Sequence, residues 1–357
     1  MSIYRAYIGK QVIKSILMVL LILMAIESFI ELAAQLKDVG KGDFSLSHVG
    51  IVVPLVMLSK VYQLFPVAAL IGSIVGLGRL ASRNELIALH SAGLSLWQIT
   101  SAVLMSSILL TVLVVLPGES LAPYAFDVAS TIKSRALSQG NTLKTERGTW
   151  VKDGTNFIHI LTMESGRQWF GVTRYFFDAQ HELQLASFAE RGEFHNGQWQ
   201  FFNVQQSRFE PRRVSRETFA QQVWNLRLDP RMMGLIDIEP SQQSLPQLYH
   251  SVKFRKVIGQ DAGPFEFAFW RRLMLPFATL VMILLAVPIV DGPLRSVTMG
   301  VRVVAGISVG FVFYMLNQFL GPMSLIYQVP PVLAAVMPVV VFALLGGYLI
   351  RSSRGNS

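Results

Sequence analysis

LGRLASRNELIALHSAGLSLWQIT, residues 77–100, is a polar break between two long apolar runs. Ser82, Arg83, Asn84 and Glu85 open it and Gly93 closes it. Ser82 followed three residues later by Glu85 fits a capping box, in which each side chain answers a backbone donor left over at a helix start. Glycine is a common terminal cap. The spacing predicts a short helix over 82–93, with Leu86, Ile87 and Leu89 as its apolar residues. A helix of about ten residues is marginal alone and needs a surface to lie against. Two surfaces stay open on physical grounds. One is the lipid interface; the other is a groove on a cytoplasmic partner, where a helix held by two spans would pass a push to both.

Outward from this stretch lie six apolar runs of roughly the 20 residues that cross ~30 Å of hydrocarbon. They fall at about 12–36, 50–77, 97–117, 269–290, 301–320 and 329–350. The composition agrees, with 52% of the 357 residues hydrophobic, 15% charged and a mean hydropathy of +0.45. Lys and Arg in short loops set orientation. One side collects Arg5, Lys10, Lys14, Arg79, Arg83, Arg295, Arg302, Arg351 and Arg354, the other only Lys37 and Lys41. Both termini are therefore predicted to be cytoplasmic, and the polar stretch of about 140 residues between the third and fourth runs, the size of one domain, lies outside. The first run is too long for a signal peptide and carries Glu27 and Glu31, so it is expected to stay as a span.

The outer stretch, 126–262, reads as β. NFIHILTM (156–163), YFFDAQHELQLASF (175–188) and GEFHNGQWQFFNVQQSRF (192–209) alternate in character and are punctuated by Asp153-Gly154 and Asn196-Gly197, dipeptides preferred in tight hairpins. Short strands at this spacing suggest a sandwich or roll. The fold class is thus an α-helical integral membrane protein of six transmembrane helices, three plus three, with an inserted all-β domain. Its parts are 1–125 (helices 1–3 and the short cytoplasmic helix), 126–262 (the β domain) and 263–357 (helices 4–6). Gly72 and Gly76, and Gly306 and Gly310, repeat small residues four apart and predict close helix packing.

Several classes of chemistry are excluded. No phosphate-binding loop, zinc-protease helix, nucleophile elbow or dinucleotide fingerprint occurs. The chain has no cysteine, and its six histidines (His48, His90, His159, His181, His195, His250) are scattered without ligand spacing. No catalytic residue, metal site or cofactor of its own is expected; energy for any work comes from a partner or a gradient. The net charge of +9 reflects in large part the positive-inside loops, and a chain this apolar is not read as a nucleic-acid binder.

Charges inside the spans carry more information. Lys60 lies about ten residues from the outer end of the second span, roughly 15 Å at ~1.5 Å per residue. Glu27 and Glu31 share a face one turn apart, with Glu27 at about the depth of Lys60. Such charges cost several kcal/mol without a partner or water. They form either an internal Glu–Lys pair or part of a polar cavity open toward the outer leaflet. Lys37, Lys41, Lys133, Arg135, Arg271 and Arg272 gather toward the outer surface. Each alone is a snorkelling interface residue; together they would form a basic rim for an anionic amphiphile, with Arg the better phosphate grip.

The arrangement of three spans, a β domain and three spans, with FPVAALIGSIVGLGRLASRNELIALHSAGLS (65–95) and GPLRSVTMGVRVVAGISVGFVFYMLNQ (292–318), resembles the LptF/LptG family of lipopolysaccharide export permeases, the second block most of all its LptG branch. The resemblance implies an ABC exporter of the bacterial inner membrane in which LptF and LptG pair and an LptB dimer binds ATP and Mg. It implies a periplasmic β-jellyroll that stacks on that of LptC and passes lipopolysaccharide along a bridge. The 82–93 segment would be the coupling helix seated on LptB, with Glu85 matching the family's coupling acid and Arg83, Leu86, Leu89 and His90 beside it. Lys37 and Lys60 match the family's cavity bases, and Lys41, Lys133 and Arg135 do so more loosely. Glu31 departs from the pattern, since related LptG chains can carry a base there, and Glu27 adds a second acid. Two rivals remain: a proton- or ion-coupled carrier using Glu27, Glu31 and Lys60, and a non-transporting scaffold whose β domain recruits envelope proteins.

Overall fold

The computed structural model describes residues 3–137, 148–164, 168–178, 180, 182–195, 197–210, 213–226, 228, 239–291 and 297–354. Among these are α1 (Ile3–Leu36), α2 (Leu46–Ser82), α3 (Glu85–Ser91) and α4 (Leu96–Leu137), then β1 (Thr149–Asp153), β2 (Asn156–Glu164), β3 (Gln168–Phe177), β4 (Leu183–His195), β5 (Gln198–Glu210) and β6 (Arg213–Trp224). A single 3-10 turn, Pro240–Gln242, precedes α5 (Leu245–Val257), α6 (Gly263–Asp291), α7 (Met299–Ile326) and α8 (Pro331–Arg354). His181, Asn196 and Arg295 of the sequence reading lie outside the described residues. The chain divides into two compact units: Met1–Val39, Val49–Ala129 and Glu266–Ser357 form one, Gly40–His48 and Ser130–Phe265 the other.

In the helical unit α1, α2, α4, α6, α7 and α8 are long and apolar enough to cross a membrane. α2 is the centre of the bundle: 72% of its most apolar window is buried, against 17% for α1 and 22% for α7, which leave apolar faces outward. Leu70, Ile74 and Leu77 of α2 share a core with Ile8, Val12 and Ile16 of α1 and with Met282, Ile283 and Leu285 of α6. The paired glycines work within the chain. A Cβ on Gly76 would sit 3.0 Å from Val12 Cα of α1, and Cβ atoms on Gly306 and Gly310 of α7 would meet Ile74 and Val67 of α2 at 2.6 and 3.0 Å. Small residues let these backbones close up where lipid gives no hydrophobic drive to pack.

The second unit is a six-stranded antiparallel sheet in the order β1-β2-β3-β4-β5-β6. The Asp153-Gly154 turn joins β1 to β2 as the dipeptide predicts, with Gly154 at φ 61. A crease crosses the sheet. Pairing passes from Ile160↔Val172 to Thr162↔Phe170, from Val172↔Ala189 to Phe170↔Arg191, from Ala189↔Val204 to Arg191↔Phe202, and from Val204↔Phe219 to Phe202↔Gln221. Leu161, Gly171, Glu190, Asn203 and Ala220 are thus skipped in one line. Gly171 and Asn203 on that line have φ of 61 and 52, and Asn203 Nδ2 donates to Glu190 Oε2 at 2.8 Å. Strand alternation changes phase there: Trp199 and Phe201 point inward before the crease, Val204 and Gln206 after it. Such irregularities bend a strand and turn the sheet over its core. Trp169 and Trp199 stack at 3.5 Å between centroids, Phe201 and Trp224 at 3.9 Å. Gly192 of β4 lies opposite both Trp169 and Phe201, and its missing side chain makes room, since a Cβ there would come 2.7 Å from Phe201 Cδ1.

Two boundaries differ from the sequence reading. Residues 126–137, read as the start of the β domain, continue α4. Tyr124–Leu137 contains neither Gly nor Pro, so nothing stops the helix where hydrophobicity fades. The described residues 245–257 are also helical, begun by a true capping box in which Ser244 Oγ accepts from Gln247 N and Gln247 Oε1 accepts from Ser244 N. Arg255 of this helix lies over the Phe265 ring at 4.0 Å; burial lowers its pKa, and Asp261 opposes that shift.

Candidate functional site

The polar break resolves into α2 ending at Ser82 and α3 starting at Glu85. The predicted capping box is not made. Ser82 still belongs to α2 and its hydroxyl donates back to Arg79 O at 3.0 Å, a local bond that competes with capping. Asn84 takes the left-handed conformation at φ 58 and caps nothing with its side chain. Gly93 does close the helix: at φ 87, its N–H donates to His90 O at 2.9 Å and that of Leu94 to Leu89 O at 3.1 Å, the Schellman pairing.

The face of α3 is divided. Leu86 is buried and Leu89 packs against the helical core, while Ile87 stays 44% exposed and the Arg83 side chain 70% exposed. Glu85 lies 4.0 Å from Arg83 and accepts a hydrogen bond from the Tyr7 hydroxyl of α1 at 2.8 Å. His90 Nε2 sits 3.2 Å from Asp291 Oδ2, at the end of α6.

The charges inside the spans pair as well. Lys60 Nζ donates to Glu27 Oε1 at 2.7 Å, and each side chain keeps about a quarter of its surface, 26% and 24%. Glu31, one turn on, accepts from Gln35 Nε2 at 2.6 Å. Lys37, near the end of α1, is exposed. In the second unit the loop carrying Lys41 rests on the end of α4, where Asp43 N donates to Ala136 O at 2.8 Å. That contact brings Lys41 beside the turn bearing Lys133 and Arg135, and Lys133 Nζ lies 5.9 Å from the Phe44 ring.

Arg272 corrects the sequence expectation of a basic rim. It is 8% exposed and committed inside the bundle, Nε donating to Glu119 Oε1 at 2.6 Å and Nη2 to Gly118 O at 2.7 Å. The Tyr62 hydroxyl donates to the same carboxylate at 3.0 Å, and the guanidinium covers the Tyr62 ring at 4.8 Å. A side chain on Gly118 would overlap Tyr62. Glu119 was missed because hydrophobicity places the end of the third span at 117, whereas α4 carries it onward. Arg271 reaches Gln318 Oε1 of α7 at 3.4 Å. Among the described residues no group of three or more His, Asp or Glu side chains gathers closely enough to hold a metal ion.

The comparisons with known proteins fit this layout. The family model described as lipopolysaccharide export system permease LptF/LptG matches residues 6–352. The lipopolysaccharide export system permease protein LptG of Escherichia coli strain K12 is 34% identical over 347 residues, covering 96% of each chain, and its counterpart in Escherichia coli O6:H1 gives the same values. The LptG of Haemophilus influenzae is 33% identical over 350 residues, covering 98% of each chain.

Proposed function

Since the chain belongs to the LptF/LptG family of lipopolysaccharide export permeases, we propose that it fills the LptG position of an inner-membrane exporter. It pairs with LptF, rests on an LptB dimer that holds ATP and Mg, and hands lipopolysaccharide through its periplasmic sheet domain to LptC. The chain binds no cofactor and catalyses no reaction; it converts a partner's nucleotide cycle into movement of lipid. Both termini and α3 face the cytosol in this reading, as the distribution of Lys and Arg argues.

Lys60 is the observation that carries the proposal. An ammonium within an apolar helix is costly unless paired, yet this one keeps 26% of its side-chain surface. The Glu27 carboxylate holds it at 2.7 Å. A lipid phosphate arriving from the outer leaflet takes the place of that carboxylate, and Lys37 meets a further anionic group. Acyl chains lie against the outward apolar faces of α1 and α7. ATP binding by LptB shifts α3 and closes this space, with Arg83, Glu85 and Ile87 offered to the ATPase, His90 at its edge and Leu86 and Leu89 fixing the helix to the bundle.

Lys60→Ala in the assembled exporter should lower photocrosslinking of lipopolysaccharide to a probe on α1 by about tenfold, the worth of one charge-assisted contact of ~1.5 kcal/mol. Lys60→Arg should retain most of it. Undiminished crosslinking in Lys60→Ala would remove Lys60 from the lipid path.

A further inference from the structure

α3 is joined by the chain to α2 and α4 only, yet two side-chain bonds tie it to other spans. At its start Glu85 accepts from Tyr7 of α1 at 2.8 Å. At its end His90 meets Asp291, the last residue of α6. The ring is held from both sides, since His90 Nδ1 lies 3.0 Å from Leu94 O and Nε2 lies 3.2 Å from Asp291 Oδ2. A carbonyl only accepts, and so does an ionised carboxylate. Both contacts are hydrogen bonds together only when the ring carries two protons, and the second is then charge-assisted.

Asp291 needs such a partner for a separate reason. A carboxylate at a helix C-terminus faces the negative end of the helix dipole, and α6 has no basic residue in its own last turn. Facing that carboxylate is His90, 201 residues away in sequence, its Nε2 at 3.2 Å from Oδ2. The pair is half-sheltered, with 28% and 15% of the two side chains exposed, so solvent screens it less than it would a surface pair.

We propose that His90 and Asp291 are positioning residues that transmit displacement of α3 to α6, and so to the second triplet of spans. The Tyr7–Glu85 bond does the same for α1. A push on α3 then moves four spans instead of the two attached to it by the chain. This rests on the proposed seating of α3 on the ATPase.

The test uses the full complex with its homologous permease and ATPase dimer in proteoliposomes, reading lipopolysaccharide released per ATP hydrolysed. Asp291→Asn keeps the shape and loses the charge. It should leave ATPase copurification and the hydrolysis rate near those of the unaltered complex, while release per ATP falls by at least about fivefold, the lower end of ordinary coupling between sites. The exchange His90→Asp with Asp291→His restores opposite charges and should bring release per ATP back to within about twofold, as a directly interacting pair requires. Undiminished coupling in Asp291→Asn overturns the tether alone, and so does a loss that the exchange fails to recover. Absence of ATP-dependent release from the unaltered complex overturns the proposed function as well, because no stroke is then available to carry.

Discussion

Replacing Glu119 by leucine is expected to destabilise the folded permease by about 3–5 kcal/mol, the range for breaking a buried ion pair by removing one partner. Arg272 is 8% exposed and gives Nε to Glu119 and Nη2 to Gly118 O. Without the carboxylate its guanidinium stays in the bundle and loses its charged partner. Lipid on the outside offers nothing better. The expected result is a sharp loss of membrane yield and a lower melting temperature in detergent, measured by scanning fluorimetry. Tyr62→Phe removes one hydrogen bond to the same carboxylate and should cost only about 1 kcal/mol. The double replacement Glu119→Leu with Arg272→Met should recover most of the loss, because apolar residues of similar volume often substitute for a buried pair without penalty. A Glu119→Leu protein that melts with the unaltered one would show that Arg272 finds its compensation elsewhere.

Gly72→Leu should be similarly damaging, for a steric reason. A Cβ at this position overlaps Ile16 of α1 and comes 2.7 Å from its backbone nitrogen. Backbone has no rotamer to change, so α1 and α2 must part. Overpacking of a fitted interface costs about 1–3 kcal/mol and sometimes more, and here the displaced helix is the one holding Glu27 against Lys60. Gly50 provides the comparison on the same helix, since a Cβ there meets nothing within 4 Å. Gly50→Ala should be neutral or stabilise by up to about 1 kcal/mol through helix propensity. Cysteine pairs placed across α1 and α2 would report the separation cleanly, because the natural chain has no cysteine. Equal melting temperatures and unchanged crosslinking for Gly72→Leu would contradict the close α1–α2 contact.

What the sequence reveals here depends on the range of the interaction concerned. Six spans are legible because each is one predominantly apolar run, a property local to about 20 residues. Their ends are less so: α4 reaches Leu137 because helix continues past the point where lipid demands apolar side chains. Gly93 is legible as a cap since its φ of 87 suits glycine and little else. Ser82 and Glu85 mislead because each has an equally good local or distant bond available, to Arg79 O and to Tyr7 respectively. The Asp153-Gly154 hairpin is local and readable. The crease through Leu161, Gly171, Glu190, Asn203 and Ala220 is not, as those positions are adjacent only once four ladders have formed.

The charged groups follow the same logic. Lys60 and Glu27 are matched by depth alone, which leaves the pairing foreseeable though not its strength. Arg272 and Glu119 lie 153 residues apart and come together through a helix longer than its hydrophobic core suggests. The partner of Asp291 is harder still to anticipate, since His90 in isolation looks like one more polar residue on a short helix.

Proteoliposomes containing this chain together with LptF and LptB, loaded with lipopolysaccharide and given or denied ATP and Mg, test the central claim most directly. Release to a soluble acceptor should require all three proteins and hydrolysable nucleotide, and should be lost when Glu85→Arg replaces the acid on α3. Release from vesicles holding this chain alone, or release indifferent to nucleotide, would contradict a permease driven through α3.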